Sequence, residues 1–202
     1  MNFFSRIFKK PAPIRDVAAL ADFIDSQTAF YIQKGIYEYA RARAGHYSKV
    51  MFREKHFADS VELSRWKAYP LGLSIIGEMV EGVLRPHAGD KRRVVLDNLI
   101  AVVGSVFDRY PVPPLIGEDA WRQMRVEMAQ RLEQTAGRAP KMVKDIPEPL
   151  AETYFDLMPI HESLRGRDFS TTRNYMRVSL CNIHDVLVER LDTAAVASEL
   201  SR

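Results

Sequence analysis

The hydrophobic positions of this chain recur with a helical period along nearly the whole sequence. Strands would show alternating apolar and polar residues between turn dipeptides, and no stretch does so convincingly. The pattern predicts helices over residues 16–44, 47–56, 71–84, 91–110, 119–136, 150–158 and 170–191, and a further helix that is capped at 59 or 60 and ended or kinked by Pro70. The predicted fold is all-α, a single domain of about six to eight helices.

The first predicted helix, 16–44, is apolar around most of its circumference. One face holds Val17, Leu20, Ala21, Ile24, Tyr31 and Tyr39, and a second apolar face beside it holds Phe23, Phe30 and Tyr37. A helix with so narrow a polar sector is usually buried among other helices. We therefore expect this helix to be long and central, and to end at Gly45 in a left-handed cap.

A polar line runs between these two apolar faces. It consists of Gln27, Lys34, Glu38 and Arg41, which are spaced by seven, four and three residues and so align on a helix. The ordinary interpretation is a solvated face with Lys34–Glu38 and Glu38–Arg41 ion pairs. The alternative is the polar wall of a groove that binds an anionic or peptide ligand.

The stretch ELSRWKAYP, directly before the helical run that follows Pro70, supplies a second candidate surface. Arg, Trp and Tyr dominate binding hot spots, and Arg65 and Tyr69 are spaced to form a cation–π pair. The competing interpretation is that Trp66 anchors the core. The predicted groove combines both sets: Lys34, Glu38, Arg41, Glu62, Arg65, Trp66 and Tyr69.

The segment PIHESLRGRDF, 159–169, is the densest set of ionisable groups in a predicted loop. Its candidate residues are His161, Glu162, Arg165 and Arg167. Loops carry function more often than cores do, so an enzyme that uses His161 is the alternative function. Asp168 or Ser170 could instead serve only to cap the last long helix.

Other catalytic and metal motifs are weak. GLSIIG, 72–77, has one residue more than the G-x-S-x-G elbow and lies in a helical run, where Ser74 is expected to bond to a carbonyl one turn earlier. The single cysteine, Cys181, excludes an intrachain disulfide and is expected to serve in packing. Zinc, P-loop and Rossmann motifs are missing from the sequence, and we predict no metal and no cofactor.

The first ten residues, MNFFSRIFKK, separate cleanly on a helical wheel. Phe3, Phe4, Ile7 and Phe8 fall on one arc, opposite three cations. Burying these side chains supplies at most about 1.5–3 kcal/mol each, and ordering the backbone costs roughly 1–2 kcal/mol per residue. We expect residues 1–13 to form an amphipathic interface segment. We expect this segment to dock on the protein's own surface or on a second copy in preference to binding weakly to an anionic membrane surface.

The composition and the net charge argue against several functional classes. The chain has 202 residues, a formal net charge of +3 and 47% hydrophobic residues, which suits one domain over 14–202 with a loop boundary near 110–118, at YPVPPLIG. The charge is too small and too dispersed for nucleic-acid binding. No apolar run approaches the roughly 20 residues of a membrane span, and no signal peptide is recognisable. We expect a cytoplasmic protein, peripheral to the inner membrane face if the first segment binds lipid.

The stretches FIDSQTAFYIQKGIYEYARARAG and LSRWKAYPLGL resemble those of an all-helical family of bacterial proteins without an established activity. The resemblance covers most of the chain after Pro13 and implies a helical fold. Some members of that family are labelled esterases, but the nucleophile elbow and its sheet are missing from the pattern here. We therefore expect a binding or adaptor module that acts through the aromatic and arginine-lined groove on a protein partner or a second copy. A small hydrolase is the alternative.

Overall fold

Residues 12–202 are described by a computed structural model, and within them every regular element is helical apart from one isolated β-bridge. The helices are α1 (Val17–Thr28), α2 (Gly35–Ala44), α3 (Ser48–Met51), α4 (Lys55–Leu84), α5 (Arg92–Phe107), α6 (Glu118–Glu133), α7 (Ala151–Asp156), α8 (Glu162–Arg165), α9 (Phe169–Arg190) and α10 (Thr193–Leu200). The predicted all-α fold is confirmed. The predicted interface residues Phe3, Phe4, Ile7 and Phe8 lie outside the described part of the chain.

A π turn, Ala29–Lys34, joins α1 to α2 without a break, so the backbone stays helical from Val17 to Ala44. The helix begins at Asp16, whose carboxylate accepts the Ala19 N–H at 2.7 Å, and it ends at Gly45 with a φ of 53°. It packs against α4 along its length, and also against α5, α9 and α10. The predicted long, central first helix is therefore confirmed.

α4 differs from its prediction, because it starts at Lys55 and continues unbroken through Pro70 to Leu84. Proline lacks the N–H that the helix ladder needs and usually breaks or kinks a helix. Here every residue from 68 to 77 is buried, and Gly72 lies directly against Ile32 of the π turn. Packing against the first helix therefore keeps α4 helical across the proline, and the predicted helix end there is wrong.

The segment that follows α9 packs against Ile14 and the first helix. Ile14 donates its N–H to Arg190 and accepts the Asp192 N–H, and these two bonds form the isolated bridge with Leu191. The helix α10 follows at once, capped by the Asp192 carboxylate, and packs on α1 and α5. The hydrophobic pattern did not predict α10 or the single-turn helix α8.

Residues on both sides of the loop that separates α5 from α6 belong to one hydrophobic core. It includes Leu99 and Val103 before the loop, and Trp121 and Met128 after it. The predicted boundary near 110–118 is thus a connection within a shared core. Between residues 12 and 202, no helix combines the length and the apolar character that crossing a bilayer requires.

Candidate functional site

The strongest candidate site is a cavity of about 400 Å³ between the first helix and α9, which we call the aromatic pocket. Its walls are the side chains of Phe30, Tyr39, Tyr154, Met158 and Tyr175, and Gly35 leaves room between them. Thr171 and Thr172 line it from α9, and Lys34 and Glu38 line it from the first helix. The pocket is therefore mostly aromatic, with a cation and a carboxylate among its lining groups.

Tyrosine hydroxyls hold the π turn that borders the pocket. The Tyr175 hydroxyl donates to the Tyr31 carbonyl at 3.0 Å, and the Tyr154 hydroxyl donates to the Ile32 carbonyl at 3.1 Å. A π turn departs from the regular α-helical bonding pattern, and such turns often occur at functional sites. Because both hydroxyls are used in this way, the two tyrosines offer mainly ring surface to the pocket.

Gly35, the first residue of α2, makes this arrangement sterically possible. A Cβ atom at this position would lie 2.6 Å from the Tyr154 hydroxyl oxygen and 2.9 Å from Cε1 of Tyr175. Both distances are shorter than van der Waals contact. The glycine therefore lets the two tyrosines approach the π turn closely enough to donate to its carbonyls.

The charged groups of the pocket lie on its solvent side. The Lys34 ammonium stands 4.7 Å from the centre of the Phe30 ring, and the Glu38 carboxylate is paired with Arg41 at 2.8 Å. The Glu38–Arg41 pair expected from the spacing is confirmed, whereas Lys34 contacts Phe30 and not Glu38. We call this charged edge, formed by Lys34, Glu38 and Arg41, the mouth.

The tyrosines of the pocket stay neutral well into the alkaline range. Burial raises the pKa of Tyr154 well above its usual value and also raises that of Tyr175, to which the Glu38 charge adds. Burial, with a 2.9 Å hydrogen bond to Asp168, raises the pKa of Tyr39 to about 12. These hydroxyls therefore act as hydrogen-bond donors at neutral pH.

The α4 half of the predicted groove forms a separate cluster outside the pocket. Arg65 donates to Glu62 and to Gln33, both at 2.9 Å, and the Trp66 indole donates to Glu62 at 2.6 Å. Arg65 therefore makes hydrogen bonds where a cation–π contact with Tyr69 was considered. Of the seven predicted groove residues, Lys34 and Glu38 line the pocket. Arg41 does not line it and is connected to it through its pair with Glu38, and the structure does not bring the four α4 residues, Glu62, Arg65, Trp66 and Tyr69, to it.

Trp66 and Tyr69 belong to a structural junction around Asp25. The Tyr69 and Tyr110 hydroxyls both donate to the same Asp25 oxygen at 2.8 Å. Trp66 makes edge contacts with both tyrosine rings and with Trp121, at centroid distances of 5.3–5.9 Å. Burial and the bond to Asp25 raise the pKa of Tyr69. These contacts support the interpretation that Trp66 anchors the core.

The predicted polar loop disperses its side chains among different partners. His161 caps α8, since its Nδ1 lies 2.8 Å from the Ser163 hydroxyl and 3.3 Å from the Ser163 N–H. Arg165 lies over the Phe155 ring at 5.0 Å and donates to the Phe155 carbonyl. Glu162 and Arg167 are exposed. None of these four candidates lines the aromatic pocket, and hydrolysis by His161 stays a prediction.

A second cavity, of about 290 Å³, is lined by apolar residues and by charged side chains that are already paired with one another. The buried Glu81 accepts two hydrogen bonds from Arg85, at 2.6 and 2.7 Å. Glu78 pairs with Arg138 at 2.8 Å and with Lys141 at 3.2 Å. Because these charged groups are paired with one another, the network stabilises the packing of the helices and leaves few free groups for a ligand.

The remaining candidates for chemistry have structural roles. The Ser74 hydroxyl donates to the Pro70 carbonyl at 2.9 Å, which confirms the expected bond to the preceding turn. Cys181 is partly buried on α9. In the described range 12–202, no three His, Cys, Asp or Glu side chains converge in a group that could hold a metal ion.

Comparisons with known proteins give no family for this chain. No protein-family model matches it, and neither a curated protein nor a solved structure does. The functional assignment therefore depends on the geometry above. The feature that structural roles account for least is the aromatic pocket, because its aromatic side chains line a concave space that is open to solvent on one side, where Phe30 is 49% exposed.

Proposed function

We propose that the protein is a binding module that takes the apolar group of a small ligand into the aromatic pocket. The observation that carries this proposal is a cavity of about 400 Å³ walled by aromatic rings. Ligand sites are typically concave, have volumes of about 300–1,000 Å³ and are lined mainly by apolar and aromatic side chains with few polar groups. The pocket meets each of these criteria.

The groups that line the pocket support binding more than catalysis. Nucleophilic catalysis needs a nucleophile within hydrogen-bond reach of a base that a third group orients. The hydroxyls of Tyr154 and Tyr175 are both bonded to backbone carbonyls. No histidine or cysteine is among the lining side chains. A pocket built in this way can hold an apolar group, and it offers no activated side chain to react with that group.

A bulky residue at the edge of the pocket tests the proposal. Thr171 lines the pocket and is exposed at one side, so Thr171→Trp places an indole in the cavity. The neutral fluorescent probe Nile red should bind the wild-type protein, and its affinity for Thr171→Trp should fall about tenfold or more, because the apolar contact area is lost.

The matched control is Asn174→Trp, which adds the same side chain to an exposed position of α9 outside the pocket. This variant should bind Nile red as the wild type does. Thermal unfolding should establish that both variants are folded at the assay temperature. Equal affinity of Thr171→Trp and the wild type for Nile red would contradict the proposal.

A further inference from the structure

We infer that the ligand of the aromatic pocket is a small amphipathic carboxylate, whose apolar part enters the pocket and whose anionic head group meets Lys34 at the mouth. This inference rests on the proposed function and adds the chemical class of the ligand to it. It follows from where a charge can lie in the pocket, from the sign of the charge at the mouth and from the size of the cavity.

The ligand's charge has to stay at the mouth. The walls are mainly ring surfaces and a methionine side chain, with two threonines from α9, and the Tyr154 and Tyr175 hydroxyls already donate to the π turn. An ion placed among these walls would lose its hydration without gaining a partner of opposite charge, which is strongly unfavourable. Charged protein groups are available only at the solvent side, where Lys34 is exposed and Glu38 is half-exposed.

The mouth carries an excess of positive charge. Glu38 is engaged by Arg41 at 2.8 Å, and no carboxylate of residues 12–202 lies within 4.0 Å of the Lys34 ammonium. Lys34, Glu38 and Arg41 together have a net charge of +1, however Glu38 is shared between the two cations. An anionic head group neutralises this charge, whereas a cationic head group adds to it.

Aromatic walls also occur in sites for quaternary ammonium ions, which bind over ring faces. In this pocket the Lys34 ammonium itself stands over the Phe30 ring, at 4.7 Å from its centre. A ligand cation would have to displace this ammonium or lie beside it. The occupied ring face therefore favours a carboxylate over an ammonium group.

The cavity volume sets the length of the apolar part. About 400 Å³ lies near the low end of the usual range of about 300–1,000 Å³ for ligand pockets. A medium-length acyl chain or a single ring system fits that space better than a long-chain lipid does. Decanoate is therefore a suitable probe, and compounds with the same chain isolate the effect of the head group.

The test compares decanoate, decanol and decyltrimethylammonium by displacement of Nile red from the full-length protein. Decanoate should bind about two- to fivefold more tightly than decanol, because exposed ion pairs contribute modestly, and decyltrimethylammonium should bind more weakly than decanol. Added salt should reduce these differences.

Variants at two lysines assign the preference to the mouth. Lys34→Gln should bring the affinity ratio of decanoate to decanol close to one, and Lys34→Arg should restore it. The control Lys49→Gln removes an exposed cation of α3 outside the pocket and should leave the ratio unchanged.

The outcomes separate this inference from the proposed function. The inference is overturned if decanol binds the wild type as tightly as decanoate, if Lys34→Gln keeps the preference for decanoate, or if decyltrimethylammonium binds most tightly. If the wild type binds neither Nile red nor any of the three compounds, the proposed function is wrong and the inference falls with it.

Discussion

Gly35 shows how one residue can determine the geometry of the pocket. Glycine in a helix interior is less favourable than alanine by about 0.5–1 kcal/mol, so its presence there calls for a local reason. The reason is the close approach of Tyr154 and Tyr175, which leaves no room for a Cβ atom. Sequence periodicity does not reveal this role, because both tyrosines come from helices more than 100 residues further along the chain.

Two of the helical glycines, Gly35 and Gly82, should respond in opposite ways to replacement by alanine. We expect Gly35→Ala to lower the free energy of unfolding by about 1–3 kcal/mol, because the added methyl group must displace packed tyrosines. Gly82→Ala should raise it by about 0.4–1 kcal/mol, because no atom of residues 12–202 lies within 4 Å of the added Cβ and the unfolded chain loses conformational freedom. Urea denaturation measures both changes. A Gly35→Ala protein as stable as the wild type would refute the steric argument.

The contacts of Lys34 show the limit of prediction from helical spacing. Phe30 lies four residues before Lys34 and Glu38 lies four residues after it, so both are within reach. The spacing correctly predicts that Glu38 pairs with Arg41, and that pairing leaves Lys34 over the Phe30 ring. A helical wheel gives the neighbours of a side chain, but the choice among them depends on competition between the neighbours.

At the level of helices, the second predicted apolar face of the first helix is not buried as a whole, and a π turn interrupts the regular register within that face. The predicted faces assume a constant rotation of about 100° per residue, whereas a π turn bonds i to i+5 and changes the register of everything after it. Phe23, before the turn, is buried, but Phe30 and Tyr37 are 49% and 42% exposed. The sequence carries no recognisable signal for a π turn, so the helical wheel could not predict the exposure of Phe30 and Tyr37.

The ion pair of Glu81 and Arg85 connects three helices. Glu81 belongs to α4 and Arg85 directly follows the last residue of that helix. Arg85 also donates to the Thr135 and Arg138 carbonyls beyond the end of α6. Arg92 of α5 donates to the carbonyls of Thr135 and Ala136. Cations at this position satisfy carbonyls at the negative end of a helix dipole. The network therefore holds the end of α6 against α4 and α5.

Breaking this network on one side should be costly. Within residues 12–202, Arg85→Ala leaves the Glu81 carboxylate, which is 4% exposed, with only Arg92 at 3.9 Å as a cationic partner. We expect a loss of about 3–5 kcal/mol in the free energy of unfolding, measured by urea denaturation. The double variant Glu81→Leu with Arg85→Leu should recover much of that loss, because it leaves no buried charge unpaired.

The control for this experiment is Arg93→Ala, which breaks pairs with Asp97 and Glu133 at the exposed surface. Its effect should be much smaller than that of Arg85→Ala, because exposed pairs are screened by solvent. If the two variants are equally stable, burial of the Glu81–Arg85 pair contributes nothing to holding the helices together.

For the whole molecule, buried tyrosines predict a loss of stability at alkaline pH. The pKa values of Tyr31, Tyr69 and Tyr154 are raised by burial, and that of Tyr39 is raised to about 12. Tyrosines in the unfolded chain ionise near pH 10. Above that pH the unfolded state releases protons that the folded state still holds, so the free energy of unfolding falls as pH rises. Below about pH 10 this contribution is complete and constant.

Denaturation curves between pH 8 and about 12 measure this decline, and single variants assign it. Tyr39→Phe should make the slope above pH 10 shallower, because one of the hydroxyls with a raised pKa is removed. Tyr47→Phe removes a hydroxyl from a residue that is 75% exposed and should keep the wild-type slope. A stability that does not change with pH from 10 to 12 would contradict the assignment.

At the same scale, the sequence predicted the helical architecture, but it did not predict the pocket. The apolar circumference of the first helix correctly indicated a central element, and Lys34 and Glu38 were among the candidate residues. Tyr154, Met158 and Tyr175 were missed, because periodicity describes one helix at a time and does not say which helices meet. The α4 residues around Trp66 were assigned to the groove for the same reason, although Trp66 and Tyr69 pack in the junction around Asp25 and Arg65 bonds to Glu62 and Gln33.

The junction around Asp25 also has an optical consequence. The chain contains two tryptophans, Trp66 and Trp121, and their ring centres lie 5.9 Å apart in this one junction. Tryptophan emission therefore reports on the contacts of α4 with α6 and not on the aromatic pocket, which is walled by phenylalanine and tyrosine. The protein thus carries an intrinsic fluorophore at the junction of α4 and α6, whereas the aromatic pocket requires an added dye.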